Sequence, residues 1–303
     1  VQVDDHFPMT AIPRDLPAAA LGTAAELPAS EAAVLSFDVE DWYQGIEMPA
    51  HTWDRFEPRL DRGLGRILAL LAESGVQATF FVLGDIARRH PALVRQIADL
   101  GHEVGTHGDD HEKIYDLDPA RFRRDLRRSL SAIQSATGRP ILGHRAPFFS
   151  ITRRSLWALD IVHEEGLAYD ASIYPGPNYR YGIPGYPDEV RRLPSGLLEC
   201  PVSTFRLCGR PVGIGGAYLR ILPSGTLAGA IRRRLQASRP AGLYLHPWEF
   251  DPDHPRVRFR PLAMLTHYAN LRSTEPKLRR LLAEFRFVSY ARALGLESDP
   301  RAL

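Results

Sequence analysis

The sequence predicts an α/β fold, with a mainly parallel sheet and helices packed outside it. Short apolar runs alternate with amphipathic helical stretches from residue 33 to residue 170, the pattern of strand–helix–strand units. The residues with chemistry cluster just after the apolar runs, and in parallel barrels functional groups gather where strands end. At 303 residues, with 44% hydrophobic and 24% charged residues, the chain can bury a core of good size. It shows no internal repeat.

Residues 1–30 are rich in Ala and Pro without periodicity and read as a tail or surface arm. Ala33 to Phe37 reads as a buried strand. Leu64, Ile67, Leu68 and Leu71 give helical spacing over Leu60 to Glu73, with Gly75 as the stop. Ala78 to Leu83 is a second strand, Ile86 to Leu100 a helix closed by Gly101, and His102 to Gly105 a third strand. Pro119 to Thr137 is a helix, Ile141 to Arg145 a strand, Thr152 to Glu165 a helix and Leu167 to Asp170 a strand. The rhythm breaks from Tyr174 to Gly225, a Pro- and Gly-rich stretch long enough to shape a binding surface or lid. Thr226 to Gln236 is helical, Gly242 to Leu245 a strand, and the remainder helices around a strand at Phe285 to Ser289. The expected units are the arm over 1–30, a catalytic barrel over 31–260 and an extension over 261–303.

Composition excludes several classes. A net charge of +2 gives no reason to expect a nucleic-acid partner, and Lys113 and Lys277 are the only lysines. Arg121, Arg123, Arg124, Arg127 and Arg128 read as the solvated face of a helix. Cys200 and Cys208 contain no Cys-x-x-Cys spacing, which rules out a cysteine zinc site and suggests plain core residues. No apolar stretch reaches the roughly 18–20 residues of a membrane span. Val1 to Arg14 does not read as a signal peptide, so the expected location is cytoplasmic.

The organising stretch is Thr106-His107-Gly108-Asp109-Asp110-His111. On a helical turn, histidines at i and i+4 share a face and can grip one divalent metal. The chain lacks His-Glu-x-x-His, because His102-Glu103 is followed by His107 one residue too late. A third ligand is available from Asp38-Val39-Glu40-Asp41, which follows the first strand. Two histidines and one carboxylate with an open position would suit zinc, or cobalt or nickel. Asp109 and Asp110 read as solvated or as lying behind the ligands, and His144 and His163 as structural.

The order of motifs resembles the carbohydrate esterase family 4, or NodB-type, polysaccharide deacetylases. The residues carrying the resemblance are the acidic cluster, His107-x-x-x-His111, Arg145-Ala146-Pro147-Phe148, the region of Asp170, and Tyr244-Leu245-His246-Pro247-Trp248-Glu249. Phe37-Asp38-Val39-Glu40-Asp41-Trp42, Tyr181-Gly182-Ile183-Pro184 and His267-Tyr268-x-Asn270-Leu271 are similar to a subgroup found beside exopolysaccharide and exosortase genes, which carries a C-terminal extension. The resemblance covers Val34 to about Glu249.

It implies a distorted (β/α) barrel and metal-dependent hydrolysis of an N-acetyl group on an amino sugar. Asp38 would be the base, held by Arg145. His246 would be the acid that protonates the leaving amine, with Asp170 to orient it. His107, His111 and one carboxylate would hold the metal. Strand alternation puts Asp38 and Glu40 on one face, whereas a turn at Glu40 would bring Asp41 to the metal. Asp41 is the favoured ligand, with Glu40 the alternative; a register with Glu40 as base and Asp41 as ligand is a further option. Trp42, Phe148 and Trp248 are candidates to line a sugar subsite. The expected partner is a carbohydrate or acetamido substrate. The competing functions are an amidohydrolase of the same fold acting on a small non-carbohydrate amide or imide, and a catalytically dead sugar-binding module.

Overall fold

The computed structural model describes residue 16 and residues 21–27, 31–178, 181–258 and 261–297. The expected arm over residues 1–30 lies mostly outside the described residues. Its described part includes a short strand, β1 (Thr23–Ala24). The strands that follow are β2 (Ala33–Val39), β3 (Thr79–Val82), β4 (Glu103–Thr106), β5 (Gly143–His144), β6 (Tyr169–Asp170), β7 (Arg191–Arg192), β8 (Leu198–Glu199), β9 (Thr204–Leu207), β10 (Arg210–Gly213), β11 (Gly242–Leu245) and β12 (Phe287–Val288).

β2 is the centre of the sheet because it is apolar on one face and polar on the other. Leu35, Phe37 and Val39 are buried in the main core with the surrounding helices. Ser36 and Asp38 alternate onto the opposite face. β2 pairs in parallel with β3, which pairs with β4, then β5, β6 and β8. On its other flank β11 pairs with Val34 to Phe37, and β12 with Ala33 and Val34. All these strands run the same way, so their carboxyl ends share one rim. β7 and β1 complete the far edge in antiparallel order.

The result is a distorted, open (β/α) barrel. No continuous ladder joins β8 to β11 among the described residues. Single hydrogen bonds cross the gap instead. Val202 N donates to Ile173 O (2.8 Å), Ile214 N to Ser203 O (2.9 Å) and Tyr244 N to Ile214 O (3.3 Å). The Pro- and Gly-rich stretch therefore covers the open side. It also carries the β9–β10 hairpin and a short helix, Gly216–Ile221.

Helices Leu60–Ser74 and Pro119–Thr137 match their expected spans. Each ends on a left-handed glycine, Gly75 (φ 64°) and Gly138 (φ 68°), and Asp118 caps the second by accepting from Arg121 N. The helix expected over 86–100 is two helices, Gly84–Arg89 and Pro91–Asp99. Pro91 pushes His90 out of helical geometry (φ −130°, ψ 51°) and starts a new first turn. The helix expected over 152–165 begins only at Trp157. Strands β5 and β6 occupy two residues each of their longer apolar runs.

The arginine face of Pro119–Thr137 is not merely solvated. Arg123 and Arg127 reach Glu165 at 2.6 and 2.8 Å, and Arg128 reaches Asp109 at 2.7 Å. Cys200 is buried, Cys208 is exposed, and neither is bonded to the other. Helices Pro261–Tyr268 and Thr274–Glu284 lead into β12, so the extension adds a strand to the sheet beside β2. No helix among the described residues is long and apolar enough to cross a membrane.

Gly63 sets how closely the first long helix approaches the rim. A Cβ there would lie 1.9 Å from the carbonyl oxygen of Pro247. Gly63→Ala should therefore destabilise the fold by about 1–3 kcal/mol, the usual cost of overpacking, although alanine is the better helix former. Chemical denaturation of the two proteins measures it, and equal stability would mean that the Pro247 turn yields freely.

Candidate active site

Two carboxylates leave the end of β2 on one face. Asp38 Oδ1 accepts from Arg145 Nη1 at 2.6 Å, and the same nitrogen donates to Ser36 Oγ at 2.9 Å. Arg145 Nε donates to Ala171 O and Nη2 to Tyr290 OH, and the guanidinium lies 4.2 Å over the Phe81 ring. Burial works against the Arg145 charge, but Asp38 more than offsets it, and its pKa rises. Glu40 follows with Oε2 at 2.7 Å from His111 Nε2 and Oε1 accepting from Trp248 Nε1 at 2.9 Å. Burial alone would lift the Glu40 carboxyl. The imidazoles of His111, His246 and His107 bring it down to about 2.

The histidine pair is not on a helical turn, contrary to the expectation from its spacing. His107 and His111 sit in a loop after β4. The loop turns through Gly108 (φ 80°) and His111 itself (φ 57°), and the two rings meet at 5.2 Å between centroids. It is held from behind. Asp125 accepts from the backbone N of Asp109 (3.0 Å) and Asp110 (3.4 Å), and Ser129 Oγ donates to Gly108 O. Asp109 is fully buried and pairs with Arg88 (2.5 Å) and Arg128, so it anchors the loop.

His107 Nδ1 lies 2.8 Å from the carbonyl oxygen of Arg145. A carbonyl only accepts, so Nδ1 carries the proton and the Nε2 lone pair is free. His111 Nε2 is buried and makes no hydrogen bond of good geometry, despite its closeness to Glu40. Donor atoms of Glu40, His107 and His111 lie within 4.8 Å of one another. An orphaned imidazole nitrogen facing a carboxylate and a second imidazole fits a divalent metal held by mixed N and O donors.

Asp41 does not join them. It ends the strand by capping a short helix, Trp42–Gly45. Its Oδ1 accepts from Trp42 N (2.8 Å), while Oδ2 accepts from Arg59 N (2.8 Å) and Leu60 N (3.1 Å). Both oxygens are committed to the backbone of two helix N-termini. Asp41 as the metal-ligand candidate is therefore corrected to Glu40, the residue that strand alternation puts beside Asp38 and whose oxygen lies with the His107 and His111 donors.

His246 follows β11 and faces the donor set from the opposite rim. Its Nε2 lies 3.8 Å from both Asp38 Oδ2 and Glu40 Oε1. Its Nδ1 meets Glu249 Oε1 at 2.7 Å. Burial would depress its pKa, but Glu249, Glu40 and Asp38 raise it to about 9. Asp170 does not orient it. That carboxylate is fully buried, 2.5 Å from His144 Nδ1, and accepts from Ser172 Oγ and N. The carboxylate partner of His246 is Glu249, a residue to which sequence reasoning assigned no role. Its signal was local, because Pro at the first position and Glu at the third of a turn after His246 spell a capping box.

The cleft over these groups holds about 660 Å³. Phe148 and Trp248 line it, together with Phe149, Tyr181, Tyr218 and Tyr244. Phe148 is held at φ 55° against the His111 ring, 4.4 Å between centroids. Trp42 does not line it. Its Nε1 donates to Glu57 O and its ring stacks on His254, within an apolar cluster that includes Trp248. Trp42 as a sugar-binding residue is corrected to a packing residue. A larger groove of about 1030 Å³, beside the β9–β10 hairpin, contains none of the groups above.

Residues 44–163 match the family model described as polysaccharide deacetylase, and residues 171–295 match one described as a domain of unknown function, DUF3473. A chitooligosaccharide deacetylase of Rhizobium leguminosarum bv. trifolii is 37% identical over 98 residues, which is 32% of this chain and 43% of the relative. A peptidoglycan-N-acetylglucosamine deacetylase of Bacillus cereus is 26% identical over 117 residues, covering 35% of this chain and 42% of the relative. The matched stretches thus span less than half of either relative. A Mycobacterium smegmatis crystal structure, provisionally described as a polysaccharide deacetylase, superposes with a TM-score of 0.59 at 23% identity over 87% of both chains. That likeness is one of fold.

The two neighbouring carboxylates should separate cleanly on substitution. Glu40→Gln should lower metal affinity, read by metal analysis after dialysis. Asp41→Ala should keep the metal and lower stability by about 1 kcal/mol, the typical cost of a lost N-cap. Metal loss in Asp41→Ala with retention in Glu40→Gln would reverse the assignment.

Proposed function

We propose that this chain, whose residues 44–163 match the polysaccharide deacetylase family model, is a metal-dependent hydrolase. It removes N-acetyl groups from an amino sugar in a polysaccharide or glycoconjugate. The observation that carries this reading is the convergence of three sets on one cleft: the Asp38–Arg145 pair, the donors Glu40, His107 and His111, and His246.

Glu40, His107 and His111 would hold the metal, for which zinc is the first candidate and cobalt or nickel the others. When bound, it supplies Lewis-acid polarisation of the acetamide carbonyl. Asp38 takes the proton of the attacking water. Arg145 fixes that carboxylate by donating to its Oδ1 at 2.6 Å. His246 gives its proton to the nitrogen as the carbon–nitrogen bond breaks, and an amine leaves poorly without it. The charged neighbours that raise His246 keep it protonated at neutral pH. Phe148, Tyr181 and Trp248 offer ring faces for a sugar.

Acetate release from N-acetylglucosamine oligomers, with and without a chelator, tests the reading. Release that stops on chelation and returns with added metal is expected. Release only from small non-sugar amides would replace it with the amidohydrolase reading, and no release from either class would leave a binding module. Asp38→Asn should keep the metal and lose about 10²–10⁴-fold in kcat. His246→Ala should lose most turnover on acetamides and much less on activated acetate esters, whose alcohol leaves without help. An unchanged amide-to-ester ratio would remove His246 from the acid role.

A further inference from the structure

Residues 171–295 correspond to a module whose description assigns it no function. Taking His246 as the proton donor of the proposed reaction, we infer that Glu249 and Arg220 form a positioning pair that presents His246 to the cleft. The module thereby completes the active site of the barrel.

The geometry is a chain of committed hydrogen bonds. Glu249 Oε1 is 2.7 Å from His246 Nδ1 and also accepts from the His246 backbone N at 3.0 Å. Glu249 Oε2 accepts from Arg220 Nε at 2.7 Å. Glu249 has no exposed surface, and Arg220 is 1% exposed. The guanidinium is caged in turn. Nη1 donates to His267 O (2.9 Å) and Ala269 O (2.6 Å), and Nη2 to Thr266 O (2.8 Å). The Arg220 carbonyl accepts from Asn270 Nδ2 and Lys277 Nζ, both at 2.8 Å. Helix Gly216–Ile221 and the C-terminal segment therefore interlock on one arginine. The ring face is held too, because Trp248 stacks between His246 (5.1 Å) and His267 (4.0 Å).

The consequence for His246 follows from its two nitrogens. With Nδ1 pinned to a carboxylate, Nε2 is the nitrogen left to face Asp38 and Glu40 across the cleft. A lone buried carboxylate would be costly, and Arg220 offsets that cost by pairing with it. Asp170 cannot do this work, because its oxygens serve His144 and Ser172. Arg220 borders the cleft, but its guanidinium donates to Glu249 and to the backbone carbonyls of Thr266, His267 and Ala269, so both residues act through His246.

The test uses the full chain and the variants Glu249→Gln, Glu249→Ala and Arg220→Lys. It measures kcat and KM on an N-acetylglucosamine oligomer and on an activated acetate ester, metal content, melting temperature, and the ¹⁵N shifts of the His246 ring. Glu249→Ala should lower kcat on the acetamide by about 10–100-fold, the range for removing a carboxylate that orients a functional histidine. KM, metal content and ester turnover should stay near wild type, and the ring shifts should lose the signature of a proton held on Nδ1. Glu249→Gln, which can still accept from Nδ1, should retain that signature in part and fall between the two. Arg220→Lys should shift kcat in the same sense. Unchanged ring shifts and an unchanged amide-to-ester ratio in both Glu249 variants would overturn the inference. So would equal losses on both substrates accompanied by a lower melting temperature, which mark a structural role alone. If the wild type releases no acetate from any acetamido sugar, the proposed reaction fails, and the ring shifts still decide whether the pair orients His246.

Discussion

Most of the architecture depends on one buried cation, the guanidinium of Arg145. It ties Asp38 and Ser36 on β2 to Ala171 after β6 and to Tyr290 after β12. A buried ion pair gains little over well-packed apolar residues, but losing one partner leaves a bare charge and costs about 3–5 kcal/mol. Arg145 meets that constraint by giving its donors to four acceptors on three separate segments and resting on the Phe81 ring. It also lends its backbone carbonyl to His107. The residue that fixes the base candidate thus fixes the tautomer of a metal-donor candidate, and the two groups cannot move independently.

The same economy appears in the loop bearing the histidines and in the turn after β5 whose Phe148 ring lies against His111. His111, Phe148 and Phe149 all adopt positive φ, which residues other than glycine rarely do. Such strain persists only where surrounding contacts over-determine it. Here the contacts are polar and buried. Asp125 holds two successive backbone N–H groups, Asp109 is held by two arginines, and Thr106, Ser129 and Gly108 form a closed set of hydrogen bonds. The strained loop brings His111 Nε2 up to Glu40 and presses Phe148 onto the imidazole.

The candidate site groups come from three stretches, since Asp38 and Glu40 precede both regions that the family models match. The histidine pair and Arg145 lie within residues 44–163, whereas His246, Glu249 and Arg220 lie within 171–295. The barrel is open between β8 and β11 among the described residues. A closed ladder would carry the rim by itself. With that side open, β11 is laddered to β2 on one flank, and the insertion meets its other flank through Tyr244 N and Ile214 O.

What the sequence by itself determined is whatever depends on local periodicity. Two-residue alternation put Asp38 and Glu40 on one face, and helical patterning marked Leu60–Ser74 and Pro119–Thr137 almost to the residue. The order of motifs placed Asp38, His107, His111, Arg145 and His246 around one rim, because parallel strands deliver their carboxyl ends to the same side. Tertiary structure decided which side chain meets which. Spacing alone suggested a helical turn for His107 and His111, but Gly108 and the Asp125 contacts make it a loop. Asp41 and Glu40 are adjacent carboxylates in the sequence, and only the helix starts at Trp42 and Leu60 claim the first and free the second. On paper Asp170 was the candidate partner for His246, and Glu249 carried no assigned role. The contact went to Glu249 because the turn after β11 folds it back beneath the imidazole, where Arg220, 29 positions away, had already to be neutralised. A long-range pair of that kind leaves no periodic trace, since each partner is chosen by burial in the folded chain.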